Sequence, residues 1–73
     1  MSFENIIKNV NGYLIIEIEG YFVERFINLM MNNNLKIWDI EQENVGVILA
    51  KINAKDFDKA KSMADMSKCK IQR

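Results

Sequence analysis

The sequence predicts a small α+β domain in which two helices cover one face of a four-stranded antiparallel sheet. Three observations carry that prediction. The stretches Tyr13–Glu19, Leu35–Glu41 and Val45–Ile52 alternate apolar and polar residues with period two. The stretches from Phe22 to Asn32 and after Asn53 repeat their apolar residues with the helical period of 3.6. The order is therefore strand, helix, strand, strand, helix, with Lys68–Arg73 as a short final strand. Right-handed crossovers fold that order into a split βαβ, or ferredoxin-like βαββαβ, two-layer sandwich. The first and third strands are then central and the second and fourth are edges.

Each element has its own signal. In the first strand Leu14, Ile16 and Ile18 share one face, and Tyr13, Ile15, Glu17 and Glu19 share the other. Gly20 breaks the strand. Phe22, Phe26, Leu29 and Met30 form the expected buried stripe of the first helix, flanked by Val23 and Ile27, and Glu24 favours the positive end of the helix dipole. Asn32-Asn33-Asn34 is a helix stop, with Asn34 the candidate for a left-handed residue past the C-cap. In the second strand either face can be the inner one by periodicity. The larger buried area of Trp38 favours Trp38 and Ile40 facing the helices. Gln42-Glu43-Asn44, with Gly46 nearby, makes the hairpin connection. The third strand puts Ile48, Ala50 and Ile52 on one face and Val47, Leu49 and Lys51 on the other. Asn53 is the expected N-cap of the second helix, with Asp56 three residues on. Phe57, Ala60, Met63, Ala64 and Ser67 make its narrow apolar stripe, and Lys55, Asp58, Lys59 and Lys61 read as a solvated face.

Residues 12–73 are expected to form one domain, preceded by an amphipathic segment at residues 1–11. In that segment Phe3, Ile6, Ile7 and Val10 fall on one stripe of a helix too short to stand alone. It is expected to cap the core, contact a second copy or lie on a membrane surface. At 73 residues the core buries roughly 60% of the unfolded chain's surface, so stability is modest.

Composition excludes several functions. Hydrophobic residues are 49% and charged ones 27%, as in soluble globular proteins. Ten basic residues balance ten acidic ones, so the footprint for phosphate backbones is missing and nucleic acid is not an expected partner. Only Tyr13 stands as a base-stacking aromatic on the strands read as central. No apolar run approaches the roughly 18 residues of a membrane span. A cytoplasmic location is the expectation.

The residues carry no catalytic, cofactor-binding or metal-binding set. The chain has no His, so the ordinary proton shuttle and imidazole ligand are missing. Cys69 is the single cysteine and reads as a small apolar residue at a strand edge. Gly12, Gly20 and Gly46 are scattered turn glycines, and the carboxylate pairs Glu17/Glu19 and Glu41/Glu43 lack a pocket to separate their pKa values. The expectation is a chain that is not an enzyme. Tyr13, Ile15, Val47 and Leu49 make the second sheet face unusually apolar, which predicts a contact with a second copy, with the N-terminal segment or with a later part of the parent chain, and makes this face the expected seat of a protein partner or homodimer.

The run IEGYFVERFINLMMNNNLKIWDIEQEN, followed by AKINAKDFDKAKSMADMSKCKIQR, is similar to the N-terminal region of the sporulation protein YqfD family. The matching positions are Gly20, Phe22, Glu24, Arg25, Phe26, Asn28, Leu29, Ile37, Trp38, Asp39, Ile40, Asp56, Phe57, Cys69 and Lys70. The family often has Pro where Val23 and Lys36 stand and Gly where Asn34 stands. The resemblance implies a domain placed before a transmembrane segment, in a membrane protein of endospore formation in Firmicutes. It carries no established reaction. The expected role is a non-enzymatic cytoplasmic interaction domain of a membrane-anchored parent. The alternative is a small-molecule-sensing regulatory module of ferredoxin-like fold, by fold analogy.

Overall fold

The computed structural model describes residues 12–73, so the readings made for residues 1–11 lie outside the described residues. Four strands, β1 (Tyr13–Glu19), β2 (Ile37–Asn44), β3 (Val47–Asn53) and β4 (Lys70–Gln72), form one antiparallel sheet. Its spatial order is β2-β3-β1-β4, the ferredoxin-like arrangement, with β1 and β3 central. Helix α1 (Val23–Asn32) joins β1 to β2, and helix α2 (Phe57–Met66) joins β3 to β4.

The core forms between the helices and one sheet face. Ile16 and Ile18 of β1 and Ile48, Ala50 and Ile52 of β3 meet Phe26 and Met30 of α1 and Ala60, Met63 and Ala64 of α2, all buried. Five of the largest side chains there, Phe26, Ile16, Ile18, Met30 and Ile52, are fully buried. Each contributes about 1.5–3 kcal/mol by leaving water. The helix α2 contributes small side chains to this core, Ala60 and Ala64 both being fully buried.

The hydrogen-bond parity of β1 is set at both ends. The Ala54 amide donates to the Gly12 carbonyl at 3.1 Å, and the Gly20 amide donates to the Gly46 carbonyl at 2.9 Å. Even-numbered residues of β1 therefore turn their backbone groups toward β3, and odd-numbered ones turn theirs outward. On that outer side β4 pairs only with Glu17, Ile18 and Glu19. Gly46 closes the two-residue Val45-Gly46 turn with φ 72°, and a Cβ there would lie 2.7 Å from the Gly20 carbonyl oxygen. Gly20 is required for a second reason, since its own Cβ would lie 2.7 Å from the Cys69 sulfur.

Both helices end in the same device. In α1, Asn34 is left-handed at φ 59°; its amide donates to the Met31 carbonyl at 3.0 Å, and the Leu35 amide donates to the Met30 carbonyl at 2.9 Å. In α2, Lys68 takes the same role at φ 58°, with Lys68 N to Asp65 O at 3.1 Å and Cys69 N to Ala64 O at 2.8 Å. These are paired Schellman bonds, and they satisfy carbonyls that would otherwise be orphaned.

Four expectations need correction. Phe22 is not in the buried stripe: it precedes α1 with φ −131°, and its ring is 55% exposed beneath the Arg25 guanidinium. Asn53 has N-cap backbone geometry but makes no side-chain cap bond, because a 3-10 turn (Ala54–Asp56) intervenes before α2. The second strand runs on to Asn44, so the hairpin turn is Val45-Gly46 rather than the Gln42–Asn44 stretch. Finally, Trp38 and Ile40 do not face the helices. Ile37 pairs with core residue Ile52, which puts Trp38, opposite Lys51, on the other face.

Candidate functional site

The sheet face away from the helices is the candidate site, and its rows follow from the register. Reading from β1 across β3 to β2, one row is Ile15, Lys51 and Trp38, and the next is Glu17, Leu49 and Glu41. Tyr13 lies one row before these, opposite Asn53, and Glu19 and Val47 lie one row after. Successive same-face rows are about 7 Å apart. Val47, expected beside Tyr13 and Ile15, is thus separated from Ile15 by a row holding two carboxylates, and it is half-buried. The structure brings together Tyr13, Ile15 and Leu49 of the expected patch and adds Trp38.

The apolar end is built around aromatic rings. Tyr13 and Trp38 pack edge to face with centroids 6.3 Å apart at 61°, the arrangement that places a positive ring edge on a negative face. The Lys51 ammonium lies 5.2 Å from the Tyr13 centroid, within cation–π range. Its Nζ donates to Asp39 Oδ2 at 2.9 Å. That hydrogen bond, together with the carboxylate's charge, holds the Lys51 pKa above the usual lysine range. Tyr13 and Ile15 remain 53% and 54% exposed.

A β-bulge follows Trp38 and shapes this end of the face. Trp38 pairs with Lys51 and Glu41 with Leu49, so three steps along β2 match two along β3. Asp39 absorbs the extra residue at φ 50°, a conformation Asp tolerates better than most residues. The inserted residue reverses the inside–outside parity, leaving Ile40 42% exposed and turning Glu41 to the open face. Ile15, Asp39, Ile40, Glu41, Leu49 and Lys51 then line a shallow hollow of about 480 Å³ at the bulge. Alternation sets Trp38 opposite Ile37 but does not say which of them faces the helices, and it does not contain the bulge that sets Asp39 beside Lys51. The Trp-Asp pair at the bulge is the one signal that could have drawn attention to these side chains.

A second hollow, also about 480 Å³, opens at the end of the sheet where β1 meets the hairpin turn. It is lined by Glu19, Gly20, Tyr21, Val45, Gly46, Lys68 and Lys70. Tyr21 and Val45 stand 95% and 90% exposed at its rim. Cys69 lies beneath, buried, with its thiol near the Ser67 carbonyl. Burial, and secondarily the Glu24 charge, push the thiol pKa up, which is the opposite of nucleophile activation. Among the described residues no group of three His, Cys, Asp or Glu is placed to hold a metal ion. Among the same residues no helix is long and apolar enough to cross a membrane.

A family model described as "Putative stage IV sporulation protein YqfD" matches residues 8–73. The chain belongs to the YqfD family. That membership ties it to sporulation, and the YqfD match takes in every residue of the open sheet face and of the hollow at the hairpin end. No curated protein and no solved structure matches the chain.

Proposed function

We propose that this YqfD domain is a non-enzymatic protein-interaction module of a membrane-anchored sporulation protein, working on the cytoplasmic side of the membrane through its open sheet face. The observation that carries this reading is the apolar cluster on the face that the helices leave free, with Tyr13 and Ile15 exposed and Trp38 and Leu49 half-buried beside them. Large aromatic and aliphatic side chains grouped on a surface mark contact sites. Glu17, Glu19 and Glu41 border the cluster, so the complementary surface on a protein partner is apolar with basic residues at its margin.

A photo-crosslinking amino acid tests the reading. Placed at Leu49 in the full-length parent protein, it should give a discrete protein adduct in sporulating cells. Placed at Lys61, on the exposed side of α2, it should give none. Equal labelling from the two positions, or none from either, would remove the sheet face as the working surface.

The alternative, a small-molecule-sensing module, draws its support from the hollow at the hairpin end, where Lys68 and Lys70 stand beside exposed Tyr21. A metabolite held there raises the melting temperature with the logarithm of its concentration above Kd, and Lys70→Ala abolishes the rise.

A further inference from the structure

The open face changes character along its length. At one end Tyr13, Ile15 and Trp38 group their side chains, and the Lys51 ammonium among them is paired with Asp39. At the other end Glu17 and Glu41 stand on either side of Leu49, and Glu19 stands beside Val47 one row further. Among the described residues these carboxylates make no salt bridge. Their uncompensated charge selects the occupant. A second copy laid on this face adds three more carboxylates, and the Lys51 it brings is already paired. An anionic lipid surface or a phosphate backbone meets the same repulsion. A basic protein surface is attracted.

The width of the face selects the element. Only a helix or another sheet is laid on a sheet face. Glu17 and Glu41 are two strand spacings apart, about 10 Å, which is the width of one α-helix with its side chains. A covering sheet is several strands wide and lays its backbone over both carboxylates. The length is also that of one helix. From the Tyr13 row to the Glu19 row is three row spacings, about 20 Å, which a helix of roughly 13 residues spans.

From this match of charge, width and length we infer that the open face receives a single basic amphipathic α-helix of a protein partner, lying along β3 with its N-terminal end over Glu17, Glu19 and Glu41. It rests on the reading of that face as a docking surface and adds to the partner an element and a direction. The apolar stripe of the helix sits on Leu49, Ile15 and Trp38. Lys or Arg on the two flanks of the stripe reach Glu17 on one side and Glu41 on the other. The N-terminal end goes to the carboxylates because the positive end of the helix dipole is favoured beside negative charge.

The rows of the face serve as a ruler. One row is about 7 Å, which a helix crosses in roughly four to five residues and an extended segment in about two. The experiment places a photo-crosslinking amino acid singly at Lys51, Leu49 and Val47 of the full-length parent protein in sporulating cells. Mass spectrometry then identifies the partner residue labelled from each position. Moving the probe from Lys51 to Val47 should shift the label by roughly nine positions toward the partner's N-terminus. Charge reversal, Glu17→Lys with Glu41→Lys, should cut the Leu49 adduct by about tenfold while the circular dichroism of residues 1–73 is unchanged. The milder pair, Glu17→Gln with Glu41→Gln, should lower it less and in the same direction. A shift of about four positions overturns the helix in favour of an extended segment. A shift toward the partner's C-terminus overturns its direction. Adducts to a second copy of this chain or to lipid overturn the partner helix, as does an adduct indifferent to both pairs of substitutions. No adduct from any of the three positions removes the docking surface itself, so the two readings fail separately.

Discussion

Lys68 occupies a position that its side chain does not favour. At φ 58° it closes α2 through the same pair of bonds that Asn34 makes for α1, but Asn relieves left-handed strain and Lys does not. The strain costs about 1–2 kcal/mol, and the extra freedom of an unfolded glycine returns about 0.5–1 kcal/mol of any gain. Lys68→Gly is thus expected to stabilise the domain by roughly 0.5–1 kcal/mol, read as a higher urea midpoint at unchanged slope. A lower midpoint would show that the lysine is held by contacts stronger than its strain. Cys69, one residue on, gives the domain a pH limit. Burial raises its folded thiol pKa above the unfolded value of about 8.5, so the unfolded chain loses that proton first as pH rises. The thiol's contribution is complete below about pH 8.5 and declines above it. Cys69→Ala should remove that alkaline decline from the stability profile, whatever its effect at neutral pH.

Among the elements, β2 separates what the sequence discloses from what it withholds. The alternation in β1 and β3 assigned every residue of those strands to its correct face, because both are regular and fully paired with each other. The Asn triplet identified the end of α1, since a left-handed terminal residue is a local preference that the residue type itself carries. Trp38 escaped because periodicity leaves both faces of β2 open, and it is the pairing of Ile37 with core residue Ile52, not the size of the tryptophan, that decides between them. Phe22 escaped for a related reason: α1 starts one residue later than its apolar pattern, leaving the ring to Arg25. The candidate site therefore became half legible, through Tyr13, Ile15 and Leu49. Its aromatic partner and its one ion pair depended on tertiary pairing. The two faces of the sheet should respond differently to truncation. Ile52→Ala, in the core, is expected to cost about 2–5 kcal/mol, while Trp38→Ala should cost about 0.5–1.5 kcal/mol for the lost pair with Tyr13. Denaturant titration of the two variants checks the assignment, and comparable losses would return Trp38 to the core.

On the scale of the whole molecule, a domain of this size has about 4–11 kcal/mol of total stability. A single deep truncation at Phe26 or Ile52 consumes a large share of that margin. The sheet must also manage its two borders. Along β2 the border is interrupted by two register shifts and carries Asp39, Glu41 and Glu43, which spoil it as a template for another strand. The other border is divided. Its second half is sealed by β4, itself only Lys70–Gln72 and partly basic. Its first half, Tyr13–Ile16, has no charge, no proline and no bulge, and the backbone groups of Tyr13 and Ile15 point outward there by the parity of the ladder. Among the described residues, no strand pairs with this half of the border. At high local concentration, sheet-to-sheet growth would start from Tyr13–Ile16, and a single lysine at Ile15 would act as its gatekeeper.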